Sequence, residues 1–329
     1  MSQSRVMRGR KRRRCRFTIS NPPVNALAIP IIDGLKEKFA EATRRNDVKA
    51  IVPGKGGRFS GGLISMFSRK FMEPVISPSC LMYLELVTNA VEDCKKPVVA
   101  AVEGLALGGG LEFALGCHAR IAAPRAQLGL PELSLGVIPG FGGTQRLPRL
   151  VGLSKAIEMM LSSKPIMSEE GKKLERRKPW LRSLHRTDKI GSLSEAREVL
   201  KIARQQAKKT APNLPQHQIC LDVIEEGIIH GGYSGVLKEA KVFKEIVLSA
   251  TARGLVHVFL SQRASSKVPN VTDVGLKPRH VKKAAIIGGG LMGSGIATAL
   301  IMNNIFVILK EVNSEYLQKG IKTVEGGYS

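Results

Sequence analysis

Acidic residues are scarce in this chain. Its 329 residues carry 27 Asp and Glu against 51 Lys and Arg, a formal net charge of +24, which directs attention to anionic partners such as a CoA phosphate, RNA or an acidic protein surface. Cysteine is sparse as well. Its five positions (15, 80, 94, 117 and 220) show neither metal-ligand nor redox-pair spacing, so they read as reduced thiols and no metal site is expected. No run of about 18 apolar residues occurs, which excludes a transmembrane helix. An apolar stretch of the kind that heads a secretory signal is also missing from the N-terminus. In its place Arg5, Arg8, Arg10, Lys11, Arg12, Arg13, Arg14 and Arg16 form a basic arm over residues 1–16 with no acid among them. Such an arm suits a nucleic-acid or nuclear-import role, or simply a solvated, disordered tail.

Apolar residues make up 43% of the chain, enough for one large or two moderate globular domains. Phe17 to Leu27 reads as a strand that ends in an Asn-Pro-Pro turn. A helix follows over 28–45, with Ile32, Leu35, Phe39 and Ala42 on one face. Residues 48–52 read as a short strand that enters the glycine loop 54–62. A helix over 86–94 and a buried strand over 98–102 come next. Beyond Leu150 the pattern is helical, with segments over 194–209 and 234–262. Residues 265–283 are rich in Pro, Gly and polar residues and read as a linker. Strands are expected again over 284–287 and 305–311, so strand and helix alternate at both ends of the chain, an α/β pattern.

The stretch with the most chemistry is KPVVAAVEGLALGGGLEFALGCHARIAAPRAQLGLPELSLGVIPGFGGTQRLPR, residues 96–149. Gly108, Gly109 and Gly110 follow an apolar strand and open a helix that carries Glu112, while a second acid, Glu132, lies in a loop. Glycine lets backbone amides approach a ligand closely. A helix start there also presents free N–H groups to a developing anion. Two acids beside such an anion hole suit addition of water to an activated double bond, with one taking a proton and the other giving one. Taken alone, a glycine triplet is equally well explained by tight packing, and a lone Glu by a solvated surface.

A second motif, KKAAIIGGGLMGSGIA, places Gly288, Gly290 and Gly293 between a strand and a helix. The acid Glu311 ends the next strand about 20 positions on, as in the dinucleotide-binding fingerprint.

The 96–149 string resembles the crotonase (enoyl-CoA hydratase/isomerase) family. With NPPVNAL, SLHRTDKIGSLSEAR, VIEEGIIHGGYSGVLKEA and RASSKVPNVTDVGLKPR, the chain resembles the plant peroxisomal multifunctional proteins of fatty-acid β-oxidation. These couple a crotonase domain to a 3-hydroxyacyl-CoA dehydrogenase. The resemblance implies a crotonase (ClpP-like) β-β-α superhelix over 17–264 with a helical C-terminal region. The linker 265–283 and an incomplete Rossmann β-α-β fragment over 284–329 would follow. It further implies hydration of a 2-trans-enoyl-CoA thioester, with Δ3-Δ2 isomerisation as a side activity and no cofactor for hydration. The catalytic pair would be Glu112 and Glu132, and the backbone N–H groups of Gly109 and Leu63 would form the oxyanion hole. Asn25 and Ala26 would border the CoA adenine. In the Rossmann fragment NAD would lie against Gly288, Gly290, Gly293 and Glu311.

The sequence also departs from that pattern. Residues 63–80, LISMFSRKFMEPVISPSC, replace the family string after Gly61-Gly62. A helical stretch is missing after Leu174, and the basic arm stands where the family's first strand belongs. Each break is expected to disturb a packed core. The strands, helical substrate domain and histidine that the dehydrogenase needs are absent from this sequence, so hydride transfer is not expected of it and NAD binding is doubtful. A peroxisomal location follows from the resemblance, although the terminal Gly-Gly-Tyr-Ser is no S-K-L-type address. The competing expectation is a non-catalytic basic protein that binds RNA, microtubules or another polyanion.

Overall fold

The computed structural model describes residues 6–8, 14–21, 25–27, 29–54, 59–61, 87–174, 182–276 and 279–327. Leu63 and the rewritten segment 63–80 lie outside them. By packing, the chain forms two units, Met1–Gln262 and Arg263–Ser329.

The first unit begins with β1 (Val6–Arg8) and β2 (Arg14–Phe17), paired antiparallel. β2 in turn pairs parallel with β3 (Ala50–Pro53). This corrects two expectations, because the end of the basic arm is itself a strand and the strand starts earlier than Phe17. Cys15, Phe17 and Ile19 point inward while Arg16 and Ser20 are exposed, the alternation of a half-buried strand. α1 (Ile29–Arg44) buries Ile31, Ile32, Leu35 and Ala42 along one helical stripe. Its last carbonyls are held by Lys96, whose Nζ donates to the carbonyls of Ala42 (2.7 Å) and Arg45 (2.6 Å), a cation at the negative end of the helix.

β4 (Val99–Val102) pairs parallel with β6 (Ala119–Ala122), and β5 (Leu105–Leu107) pairs parallel with β7 (Gln127–Gly129). A short β8 (Ile166–Met167) adds antiparallel to β7. Parallel bridges Ile51–Val98, Gly54–Ala101 and Ser60–Ala106 connect these small sheets into a stepped stack. Between β5 and β6 runs α2 (Gly109–Gly116), in which every residue is buried. It starts at Gly109, within the glycine triplet expected to open it.

The rest of the unit is helical: α3 (Gly143–Val151), α4 (Leu153–Ser162), α5 (Ser168–Leu174), α6 (Leu193–Thr210), α7 (Gln216–Ile229), α8 (Gly232–Ile246) and α9 (Ala250–Ser265). One long helix over 234–262 was expected, and two are present. Ser249 makes the break: its N–H donates to the Ile246 carbonyl, and its hydroxyl accepts the Ala252 N–H as the cap of α9. One core cluster runs from Cys15 to Val256 across these elements. It draws side chains from both sides of the break after Leu174 and from the arm itself.

The second unit contains β9 (Lys283–Ile287), α10 (Leu291–Met302), β10 (Phe306–Lys310) and α11 (Ser314–Gly326). The two strands are parallel, in register from Lys283–Phe306 to Ile287–Lys310. Both alternate between exposed and half-exposed residues, and Ile287, Leu291 and Val312 are each more than four-fifths exposed.

Candidate active site

Glu112 sits in the first turn of α2 and is 0% exposed. Its Oε1 accepts two backbone N–H groups, from Phe141 and from Gly143, each at 2.8 Å. Its Oε2 is buried without a hydrogen-bond partner. The same is true of Oε2 of Glu132, which opens the 3-10 turn Glu132–Leu135. Burial pushes the Glu112 carboxyl up to about 7, with the backbone amides of Phe141, Gly143 and Gly140 and the Arg146 charge acting against it. Glu132 is raised well above the ordinary carboxylate range, first by burial and then by the charges of Glu112 and Glu239. The structure therefore brings the two expected acids into one electrostatic system in which a proton is readily retained.

The third acid was missed by sequence reasoning. Glu239 of α8 is fully buried, and its carboxylate accepts N–H groups from Gly142 and Thr144 together with the Thr144 hydroxyl. Burial and the Glu112 charge raise it to about 8, while those donors pull it down. A signal for it was present. Glu239 shares the inward stripe of α8 with Val236, Ala240 and Phe243, and an acid on an otherwise apolar helix face requires buried partners.

The start of α3 is thus fixed from two sides. Gly143 has no room for a side chain, because a Cβ there would come within 2.7 Å of Glu112 Oε1. Behind it Arg146, 0% exposed, donates to Glu92 Oε2 (2.8 Å), the Phe141 carbonyl (2.8 Å), Asn89 Oδ1 (2.6 Å) and Thr88 Oγ1 (3.3 Å).

Gly109 lies on the same helix as Glu112 and opens it, so its N–H belongs to the first turn, where no intrahelical acceptor exists. The Gly108 N–H is tied to the Gly129 carbonyl at 2.8 Å. Gly110 meets the glycine loop, since a Cβ there would lie 2.6 Å from Ser60 Cβ. Leu63, the expected second donor, lies outside the described residues. Asn25 and Ala26 are buried in the turn before α1, where Asn25 adopts φ 53° and its Oδ1 accepts the Asn21 N–H at 3.0 Å.

In the second unit the glycine turn has the form a pyrophosphate would need. Gly288 takes φ 101°, and a Cβ on Gly293 would fall 1.8 Å from the Gly288 carbonyl oxygen. Glu311 Oε1 accepts the Gly289 N–H, which holds the acid at the mouth of that turn. These residues fit NAD, whose nicotinamide supplies hydride chemistry when bound; this fragment's own part would be limited to seating the pyrophosphate and ribose.

Comparison with known proteins agrees with this geometry. Residues 11–174 match the family described as enoyl-CoA hydratase/isomerase, and residues 283–329 match the NAD binding domain of 3-hydroxyacyl-CoA dehydrogenase. The chain is 67% identical to the peroxisomal fatty acid beta-oxidation multifunctional protein AIM1 of Arabidopsis thaliana, over 94% of this chain and 46% of that protein. Its identity is 61% to the corresponding protein of Oryza sativa subsp. japonica, over 93% and 46%. With the human peroxisomal bifunctional enzyme it is 32%, over 93% and 45%. The chain thus spans about half the length of the relatives it matches. Among solved structures, an enoyl-CoA hydratase of Mycobacterium avium subsp. paratuberculosis superimposes with a TM-score of 0.55 at 19% identity, covering 79% of this chain and 96% of that one. An enoyl-CoA hydratase/isomerase of Pseudoalteromonas atlantica gives 0.54 at 23%, covering 79% and 97%. These structures share the crotonase fold.

Proposed function

We propose that the first unit, whose residues 11–174 match the enoyl-CoA hydratase/isomerase family, hydrates a 2-trans-enoyl-CoA to the 3-hydroxyacyl-CoA. The observation that carries this reading is the pair of buried Oε2 atoms on Glu112 and Glu132, both without a protein partner, below the opening turn of α2. Two unpartnered, mutually coupled carboxylate oxygens suit a water molecule held between them. The ionised carboxylate accepts a proton from that water as its oxygen bonds to C3. The C2–C3 π pair moves toward C2, and negative charge develops on the thioester oxygen, where the Gly109 N–H is a donor. The other carboxyl, kept protonated by burial and by its charged neighbours, delivers its proton to C2. Atoms and charge balance with no external oxidant or metal. Asn25 and Ala26 are assigned to the adenine end of CoA, and Leu63 N–H to the second oxyanion donor.

The relatives named as peroxisomal proteins support a peroxisomal place for this chain. The Gly288, Gly290, Gly293 and Glu311 cluster is assigned to NAD because residues 283–329 match the NAD binding domain of 3-hydroxyacyl-CoA dehydrogenase.

The test follows loss of the conjugated thioester absorbance of crotonyl-CoA, with Glu112→Gln and Glu132→Gln beside the wild type. Turnover in the wild type that both substitutions abolish supports hydration at this pair. A folded but silent wild type that binds RNA, with affinity falling steeply as salt rises, replaces hydration with the polyanion-binding reading.

A further inference from the structure

The turn that opens α3 presents four consecutive amides to two buried acceptors in alternation. Phe141 and Gly143 direct their N–H groups to Glu112, while Gly142 and Thr144 direct theirs to Glu239. Neighbouring amides face opposite ways, so the two carboxylates grip one short backbone from either side. We infer that Glu239 is a positioning residue for hydration: by fixing Gly142 and Thr144 it fixes the intervening amides that seat Glu112. This inference rests on the hydratase reading above.

Helix α8 alone does not explain an acid at this position. Val236, Ala240 and Phe243 would pack the same face without it, and a buried carboxylate is costly unless its lone pairs are filled. No cation hydrogen-bonds to Glu239 among the described residues. Its charged and titratable neighbours are Glu112 of α2 and Glu132 of the 3-10 turn, with Cys220 of α7. Arg146 of α3 is directed instead to Glu92, Asn89, Thr88 and Phe141. Lys238 and Lys241 on α8 itself are exposed to solvent. What offsets the Glu239 charge is the amide row and the positive end of α3, the same groups that hold Glu112. The two carboxylates therefore share one source of stabilisation, and neither is independent of the other.

Glu239→Gln separates a positioning role from mere packing. Gln has the same shape, but one end becomes an NH2 group. Since Oε1 accepts from Gly142 and Oε2 from Thr144, that NH2 must face a backbone donor, and one side of the grip is released. We expect kcat with crotonyl-CoA to fall between about 10- and 100-fold, the scale of a small misplacement of a reacting group. KM should stay within about twofold, and the acid limb of the kcat profile should move to higher pH, because the Phe141 and Gly143 amides that hold the Glu112 carboxyl down are loosened. Thr144→Val is the milder companion. It removes the hydroxyl that Glu239 accepts, which also accepts from Gln145 Nε2 at 3.0 Å, and should lower kcat a few-fold, with Thr144→Ser restoring it. A folded Glu239→Gln with wild-type kcat and an unmoved acid limb overturns the inference. If Glu239→Gln does not fold, an unchanged kcat in Thr144→Val overturns it equally. A silent wild type overturns the hydratase reading and this inference with it, whereas an active wild type beside an indifferent Glu239→Gln overturns the inference alone.

Discussion

Replacing Arg146 by Met should unfold the first unit far more readily than its single position suggests. The guanidinium is wholly buried, and its ion-pair partner Glu92 has a side chain only 3% exposed. Removing the cation leaves Glu92 with the Ser183 hydroxyl (2.6 Å) and the Leu184 N–H (3.0 Å) as donors, and strands a negative charge away from water. Breaking a buried pair in this way costs ~3–5 kcal/mol, against a total of ~5–15 kcal/mol for a folded domain. The Phe141 carbonyl loses its Arg146 donor as well, although Thr88 Oγ1 still donates to it at 2.9 Å. Glu92→Gln should cost less, about 1–3 kcal/mol, because the arginine keeps three neutral acceptors. The double variant, with neither charge buried, should be more stable than Arg146→Met alone, so the thermodynamic cycle gives a favourable coupling of about 2 kcal/mol or more. Urea unfolding followed by far-UV circular dichroism reads all three values. If Arg146→Met shifts stability by less than ~1 kcal/mol, the range of an exposed pair, the pair is not buried as described and the reasoning fails.

Other substitutions test the site and its frame. Gly143→Ala places a Cβ 2.7 Å from Glu112 Oε1, and we expect turnover to fall about 100-fold with little change in circular dichroism; a fully active alanine variant would rule out the contact. The kcat/KM profile should rise through about pH 7 as Glu112 ionises, and a profile flat from pH 5 to 8 would be inconsistent with the buried pair. The same group gives a stability prediction. Its folded value of about 7 lies above the ordinary 4.5, so the folded state holds the extra proton between these values, and stability should fall as pH rises through that window. Glu112→Gln should weaken that dependence in pH-resolved urea unfolding, and Glu132 and Glu239, raised in the same direction, should carry what remains. Ser192 and Glu195 form a reciprocal cap on α6. Ser192→Ala should cost ~1 kcal/mol without altering turnover.

Glu112 and Glu132 were legible in the sequence because the signals around them are local: three glycines ahead of a helix, and an acid in a loop of recognisable pattern. Glu239 was legible only as an acid on an apolar helix face; its role depends on Gly142, 97 positions away, and only the folded chain brings α8 against the opening of α3. The first strand was hidden for a different reason. Arg14 and Arg16 look like part of a charged tail when read in order, whereas Cys15 between them and Phe17 and Ile19 after them carry the inward pattern. The break between α8 and α9 lacked Pro or Gly to announce it, and a serine cap supplied the stop. In the second unit the glycine spacing and Glu311 were read directly, since that motif is confined to one turn and the next strand.

The two oxygens of Glu112 have separate duties. Oε1 holds the turn at α3, and Oε2 is the oxygen left to a ligand. Natural drift acts on them differently. A lineage that abandoned the chemistry would still need an acceptor at position 112 to satisfy two buried amides, so glutamine or glutamate would persist there under selection for folding alone. The glycine triplet and the acid that follows it therefore record the shape of this turn more faithfully than they record activity. Position 132, whose carboxylate oxygen Oε2 has no such tie, is where loss of the reaction would first become visible in a descendant sequence.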